Sequence, residues 1–233
     1  MRKSKEIWKI YKNVFDSFTI NALQKLISQK IIDGLESPVK IGKEANVFTA
    51  ISGEEKRIVK IYRLESCNFN NMYSYIATDS RFQHLKRRRR DIILAWVQRE
   101  YRNLLKAREA GVSVPTPYTY NSNIIIMEFI GDKEAALQLK DKSPKEPGKF
   151  MRSLVKNISD LYKKAGLVHA DVSEFNILNL HEKPVLIDFA QATIKSSPNA
   201  DEYLIRDVKN ICRYFAKLGL KPDPEKLRKE ITA

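Results

Sequence analysis

The sequence predicts an α+β fold in two lobes: an antiparallel sheet carrying one main helix, then a smaller, mainly helical half. Three observations predict it. Residues 39–62 and 123–130 read as strands and turns, Ile93, Trp96, Val97, Tyr101 and Leu104 recur at helical spacing between them, and two further helical stripes follow residue 149. The chain has 233 residues, 43% hydrophobic and 30% charged, enough for a core and too apolar for overall disorder.

Residues 1–37 are expected to form an N-terminal helical extension, with Thr19 as N-cap ahead of Ile20, Leu23, Leu26 and Ile27, closed by Gly34 and Pro38. Residues 38–130 then form the first lobe. Within it, residues 47–51 and 57–62 flank Ser52-Gly53-Glu54-Glu55 as a hairpin. Residues 63–90 show no clear period. The helix over 91–110 closes at Gly111, with Pro115 and Pro117 beyond, and residues 123–130 form a buried strand ending at Gly131. The hinge falls at residues 130–132, and residues 131–233 form the second lobe. It begins with a helix carrying Phe150, Leu154, Val155, Ile158, Leu161 and Tyr162, ended by Gly166. Short strands, Leu167-Val168 and Val185-Leu186-Ile187, bracket a polar loop, and a last helix carries Leu204, Val208, Ile211 and Phe215.

Several function classes are excluded at this level. No run of about 18 apolar residues is present, so no membrane-spanning helix is expected. Residues 1–6 lack the apolar core of a secretory signal, and two cysteines, Cys67 and Cys212, suit a reducing compartment, so a soluble cytoplasmic protein is expected. Three scattered histidines and these cysteines make no zinc site of recognisable spacing. The net charge of +14 favours polyanionic partners such as nucleotide or RNA. Its densest part, Lys86-Arg87-Arg88-Arg89-Arg90, reads either as a solvated face or as a nucleic-acid contact.

The chemistry concentrates in residues 169–176, His-Ala-Asp-Val-Ser-Glu-Phe-Asn. An Asp two residues after a His and five before an Asn is the spacing of a phosphotransferase catalytic loop. Asp171 accepts a hydroxyl or water proton there, and Asn176 turns its amide oxygen toward a metal. Asp188, directly after an apolar strand, is a costly carboxylate to bury unpaired, and a divalent ion bridging phosphate oxygens would satisfy it. Upstream, Lys60 lies in a strand on the face of Ile58 and Tyr62, and Glu100 interrupts the apolar stripe of the 91–110 helix. A strand lysine paired with that glutamate, gripping phosphates, completes the set. Met127 and Ile130 read as walls of an adenine pocket or as ordinary core. Asp207 reads as orienting a neighbouring loop, and His169 as supporting the catalytic-loop backbone.

Ordinary protein kinases differ in three respects. The glycine-rich loop is replaced by Gly42-Lys43-Glu44-Ala45-Asn46-Val47, Asp188-Phe189 is followed by Ala190 instead of glycine, and no Ala-Pro-Glu occurs in the 45 residues after Asp188. A conventional peptide groove is not expected in that length.

Taken with Val59-Lys60-Ile61-Tyr62, Trp96 through Leu104, residues 127–131, residues 169–178 and Ile187-Asp188, the Gly-Lys-Glu-Ala-Asn-Val segment closely resembles the RIO family of atypical serine/threonine protein kinases, type 1. The resemblance spans residues 15–215. It implies a trimmed two-lobed kinase fold using ATP with Mg²⁺ (or Mn²⁺), nucleotide contacts at Gly42, Lys43, Glu44, Ala45, Val47, Lys60, Met127, Glu128 and Ile130, and metal binding by Asn176 and Asp188. It further implies autophosphorylation and slow ATP hydrolysis, with Asp188 taking the phosphoryl group as an acyl-phosphate, and a role on the maturing small ribosomal subunit and its rRNA, as a monomer or weak dimer. Where family members carry Ser-Thr before the Gly-Lys-Glu, this chain has Lys40-Ile41. Two other readings stand beside it: an ATP-gated ribonucleoprotein-binding assembly factor, and the small kinase subunit of a tRNA-modifying complex, whose Lys-to-Glu separation is shorter than the 40 residues here.

Overall fold

The computed structural model describes residues 15–233 apart from Gln83; the first part of the expected helical extension lies outside the described residues. Helix α1 spans Ser17–Ser28, and Asp16, not Thr19, caps it. The Asp16 carboxylate accepts from the Thr19 N–H at 3.0 Å and from the Thr19 hydroxyl at 2.7 Å. An acceptor three residues ahead of an orphan N–H fits the N-cap geometry, so Thr19 falls inside the first turn. Nor do Gly34 and Pro38 end this helix. It closes at Gln29, with Lys30 at φ 56°, and both residues belong to strand β1, Gly34–Ile41. Pro38 is tolerated there because β1 is an edge strand with a register shift at that position.

Strands β2 (Ala45–Ser52) and β3 (Glu55–Tyr62) form the expected hairpin, with Gly53 at φ 61° in its two-residue turn. Between β3 and the main helix, the segment read as aperiodic contains helix α2, Phe69–Ala77, and a 3₁₀ turn, Ser80–Phe82. Helix α3 spans Arg89–Glu109. Strand β5, Ile124–Glu128, pairs with β3 and with a strand that sequence reasoning missed, β4, Pro117–Asn121. Pro117 reads as a breaker but stands at the first residue of the other edge strand, where no ladder donor is needed. The sheet order is β1-β2-β3-β5-β4. Alternation along β3 assigns its two faces: Val59 and Ile61 pack with Leu23 and Leu26 of α1, whereas Tyr62 joins Trp96 of α3 on the other side.

At the hinge, a Cβ on Gly131 would lie 2.1 Å from the Glu134 carbonyl oxygen, so only glycine fits the turn. The second lobe holds α4 (Pro147–Lys163), the pairs β6 (Leu167–Val168) with β9 (Thr193–Ile194) and β7 (Ile177–Leu180) with β8 (Lys183–Leu186), α5 (Ala200–Lys217) and an unforeseen α6 (Pro224–Thr232). Ile187 lies beyond the end of β8, with its N–H bonded to the Asn176 carbonyl at 3.0 Å. One apolar cluster runs from Tyr62 and Met127 through Leu154 to Phe215 and joins the lobes. Among the described residues, no helix is long and apolar enough to cross a membrane.

Candidate active site

Lys60 stands opposite Val47 on β2 and Ile125 on β5, in the middle of the sheet. Its Nζ donates to Glu100 Oε1 at 2.7 Å and to Asp188 Oδ1 at 3.0 Å, joining β3, α3 and the segment after β8 at one point. Glu100 is fully buried, and its other oxygen accepts from the Tyr62 hydroxyl at 2.6 Å. Burial works against the Lys60 ammonium, but Asp188 and Glu100 outweigh it and hold the group above the ordinary lysine range. Burial likewise pushes Asp188 up, and Lys60 more than reverses this, keeping it ionised below the usual carboxylate range. The Asp188 side chain stays 44% exposed. Its backbone is left-handed, φ 66°.

The loop of residues 169–176 lies between β6 and β7. Asn176 Nδ2 donates to the Asp171 carbonyl at 2.9 Å and to Asp171 Oδ2 at 2.8 Å, which commits the amide nitrogen to the loop and leaves Oδ1 as the outward acceptor. Burial first, and the Asp188 charge second, push Asp171 up to about 6. The loop is held from α5: buried Asp207 accepts from the N–H groups of Ala170 (2.8 Å) and Val172 (2.9 Å), Arg206 donates to the Ala170 carbonyl, and Asn210 donates to the Val172 carbonyl at 3.0 Å. These bonds fix Ala170 at φ 65°. His169 is buried with Nε2 3.1 Å from the Ile187 carbonyl and its ring edge-on to Phe189. A carbonyl only accepts, so Nε2 carries the proton, and burial pulls the imidazole down to about 4; it is a neutral brace.

Residues 42–44 form the turn between β1 and β2, and Ala45 to Val47 open β2. Gly42 N–H donates to the Ala45 carbonyl at 3.1 Å, and a Cβ at Gly42 would lie 2.8 Å from that oxygen, so the turn requires glycine. The Lys43 carbonyl accepts from the Ser66 hydroxyl at 2.6 Å, and the Glu44 carbonyl accepts from the Arg63 N–H (2.9 Å) and the Cys67 thiol (3.2 Å). The segment after β3 thus anchors this turn. Partial desolvation and then the Asp188 charge push the Glu44 carboxyl up, which locates it within electrostatic reach of the cluster. Met127 is buried on β5, and Ile130 is half-buried at the hinge. At Glu128, Oε2 accepts from the Thr116 N–H (2.9 Å) and hydroxyl (2.6 Å), and the N–H donates to the Thr116 carbonyl. Neither its carboxylate nor its N–H joins the Lys60 cluster.

The fold therefore brings Lys60, Glu100 and Asp188 into direct contact, sets Asp171 and Asn176 beside them, and brings Glu44 of the β1–β2 turn within their electrostatic reach. Sequence reasoning missed Tyr62 as the second partner of Glu100, Arg206 as a partner of the loop, and the buried polar residues of α3, Arg99 and Asn103. The signal for the last two was available, since a cation and an amide flank Glu100 within an otherwise apolar helix face. Among the described residues no three His, Cys, Asp or Glu side chains gather into a metal cage. Asn176 Oδ1 and the Asp188 carboxylate are instead the sparse oxygen set that suits Mg²⁺, whose other ligands are phosphate and water.

A family model described as the RIO domain matches residues 46–227. The chain belongs to the RIO family. RIO relatives of similar sequence include the RIO-type serine/threonine-protein kinase Rio1 of Haloferax volcanii, 34% identical over 99% of this chain and 80% of that protein. The Rio1 kinase of Methanocaldococcus jannaschii is 38% identical with the same coverage. Among solved structures, the Rio2 kinase–ADP/Mg²⁺–phosphoaspartate complex from Chaetomium thermophilum superposes with a TM-score of 0.70 at 23% identity, over 91% of this chain and 66% of that one. The expected α+β, two-lobed kinase fold is the observed one, and the enzyme class is that of the RIO serine/threonine kinases.

Proposed function

We propose that this RIO protein transfers the γ-phosphoryl group of ATP, with Mg²⁺, and acts in maturation of the small ribosomal subunit. The convergence of Lys60 and Glu100 from the first lobe on Asp188 of the second, beside Asp171 and Asn176, carries this reading. Lys60, held by Glu100, donates to phosphate oxygens. Asn176 Oδ1 and Asp188 hold the ion, which when bound neutralises charge on the transferring phosphoryl group. Asp171 accepts the proton of an incoming hydroxyl or water, and Gly42 to Val47 cover the phosphates, with Met127 and Ile130 against the base.

Autophosphorylation and slow hydrolysis follow from the same groups. In the hydrolytic route an Asp188 oxygen forms a bond to the γ-phosphorus as the bond to the β-phosphate oxygen breaks, and ADP leaves. Water, losing its proton to Asp171, then releases phosphate and regenerates the carboxylate. The Rio2 kinase–ADP/Mg²⁺–phosphoaspartate complex, which shares this fold, supports this route. Labelled ATP tests it: hydroxylamine-labile label on the wild type, lost in Asp188→Asn, is the expected result, and label confined to hydroxyl side chains overturns it. Asp171→Ala is expected to abolish turnover while nucleotide binding survives in calorimetry; phosphorylation at the wild-type rate would remove Asp171 from its role.

One observation favours an assembly-factor reading. Lys86 to Arg90 are all exposed, and Arg87, Arg89 and Arg90 lie over the rings of Tyr73, Phe69 and Phe18, which holds their guanidinium groups at the surface. Only residues 189–199 separate Asp188 from α5, which leaves little chain for a peptide-binding activation segment. RNA affinity that falls steeply with salt, and less steeply in a variant with Arg87, Arg88 and Arg90 changed to Ser, is the expected outcome.

A further inference from the structure

The backbone directly after Asp188 has an unusual set of partners. The carbonyls of four consecutive residues, 189–192, are bonded by two side chains of α3. Asn103 Nδ2 donates to Phe189 O (3.1 Å) and Ala192 O (2.7 Å), and the Arg99 guanidinium donates to Ala190 O (3.3 Å) and Gln191 O (3.5 Å). Both side chains are fully buried. The segment lies between β8 and β9, so its carbonyls have no ladder to enter, and buried carbonyls need donors.

The donors are themselves fixed. Arg99 Nε is bonded to Asp79 Oδ2 at 3.1 Å; Asp79 is fully buried, just beyond α2, and also grips Arg81 through both carboxylate oxygens at 2.9 and 2.6 Å. Arg81 reaches across to Asn103 Oδ1 at 3.0 Å, which orients that amide with its nitrogen toward the carbonyls. The circuit Asp79–Arg99–residues 189–192–Asn103–Arg81 closes on itself.

What it restrains is Asp188. A non-glycine residue at φ 66° persists only where its surroundings over-determine it. On the N-terminal side, Ile187 N–H is bonded to the Asn176 carbonyl at 3.0 Å; on the C-terminal side the restraint comes from α3. Glu100, one residue from Arg99, holds the lysine that meets the Asp188 carboxylate. One helix therefore sets both the cation and the backbone of the acid it faces. Ala190, in the place where ordinary kinases carry a flexible glycine, suits a segment that is clamped.

We propose that Arg99 and Asn103, aligned by Asp79 and Arg81, are positioning residues of the phosphoryl-transfer site: they hold residues 189–192 so that Asp188 keeps its left-handed backbone and its carboxylate stays at the metal position. The proposal rests on the reading of Asp188 as a metal-binding group. Arg99→Lys keeps a charge for Asp79 but lacks the fork that reaches two carbonyls. In this variant the half-saturating Mg²⁺ concentration for ATP turnover is expected to rise at least tenfold, while ADP affinity measured without metal changes less than twofold. Amide hydrogen exchange over 188–192 is expected to quicken at least tenfold, with β5 unchanged. Asn103→Ser is the second variant, expected to shift both readings in the same direction, and it decides the matter if Arg99→Lys does not fold. Asp188→Asn separates the two claims. If it is inactive while both α3 variants keep wild-type metal dependence and exchange, the positioning role is wrong; if it remains active, the reading of Asp188 falls first.

Discussion

At the residue scale, the cluster is a set of charges that are stable only together. Lys60→Met leaves Glu100 buried with Tyr62 as its remaining partner, and breaking a buried pair in this way costs on the order of 3–5 kcal/mol. The variant is expected to unfold at lower denaturant than wild type and to bind nucleotide weakly. Lys60→Met with Glu100→Gln should recover part of the stability and none of the turnover, as chemical denaturation and a phosphate-release assay would show. His169 gives a pH signature. Its folded pKa of about 4 lies below the ordinary 6.5, so its contribution to stability is complete above about pH 6.5 and is lost as pH falls through 4. The full shift corresponds to about 3 kcal/mol. Asp171 and Asp207, raised mainly by burial to about 6 and about 7, act in the opposite sense, their contributions being lost as pH rises through those values. The histidine's share is therefore read from His169→Gln, which still donates to Ile187: its stability should fall less than wild type between pH 6.5 and 4, and parallel curves would refute the neutral brace.

At the scale of elements, α5 positions the catalytic loop without touching the reacting atoms. Asp207→Ala strips two buried N–H groups of their acceptor, at about 1–3 kcal/mol each. A lowered melting temperature and a reduced kcat with nearly unchanged nucleotide affinity are expected; unchanged kcat would show that the loop holds itself. The elements were legible in the sequence where periodicity and turn chemistry agreed. The β2–β3 hairpin and the helices carrying Trp96, Leu154 and Ile211 follow from apolar spacing closed by glycine or a tight turn. Prolines misled where the edge of the sheet removed their penalty, at Pro38 and Pro117, and α2 was hidden because a nine-residue helix shows too few turns to establish a period. Within the site, Lys60, Glu100, Asp171, Asn176 and Asp188 were legible because buried charge demands a partner. Tyr62 was not, because a tyrosine on a strand face reads as ordinary core and gives no sign of where its hydroxyl bonds.

At the scale of the whole molecule, the larger of two apolar clusters spans both lobes, while the smaller one between α1 and the sheet belongs to the first lobe alone, so the lobes are coupled through the shared core. A single calorimetric transition is expected for the protein without nucleotide, rising by an amount equivalent to about 2.7 kcal/mol at a ligand concentration 100 times Kd. Two resolved transitions would show that the shared core does not couple the lobes.

Cys67 donates its thiol to the carbonyls of Glu44 and Arg63, and burial, reinforced by the Glu44 charge, pushes it up to about 12. So protonated a sulfur reacts sluggishly with maleimide or iodoacetamide while the β1–β2 turn stays packed on it. Alkylation there, read against Cys212 of the second lobe, becomes an intrinsic gauge of how often this turn parts from the segment after β3, with and without added nucleotide.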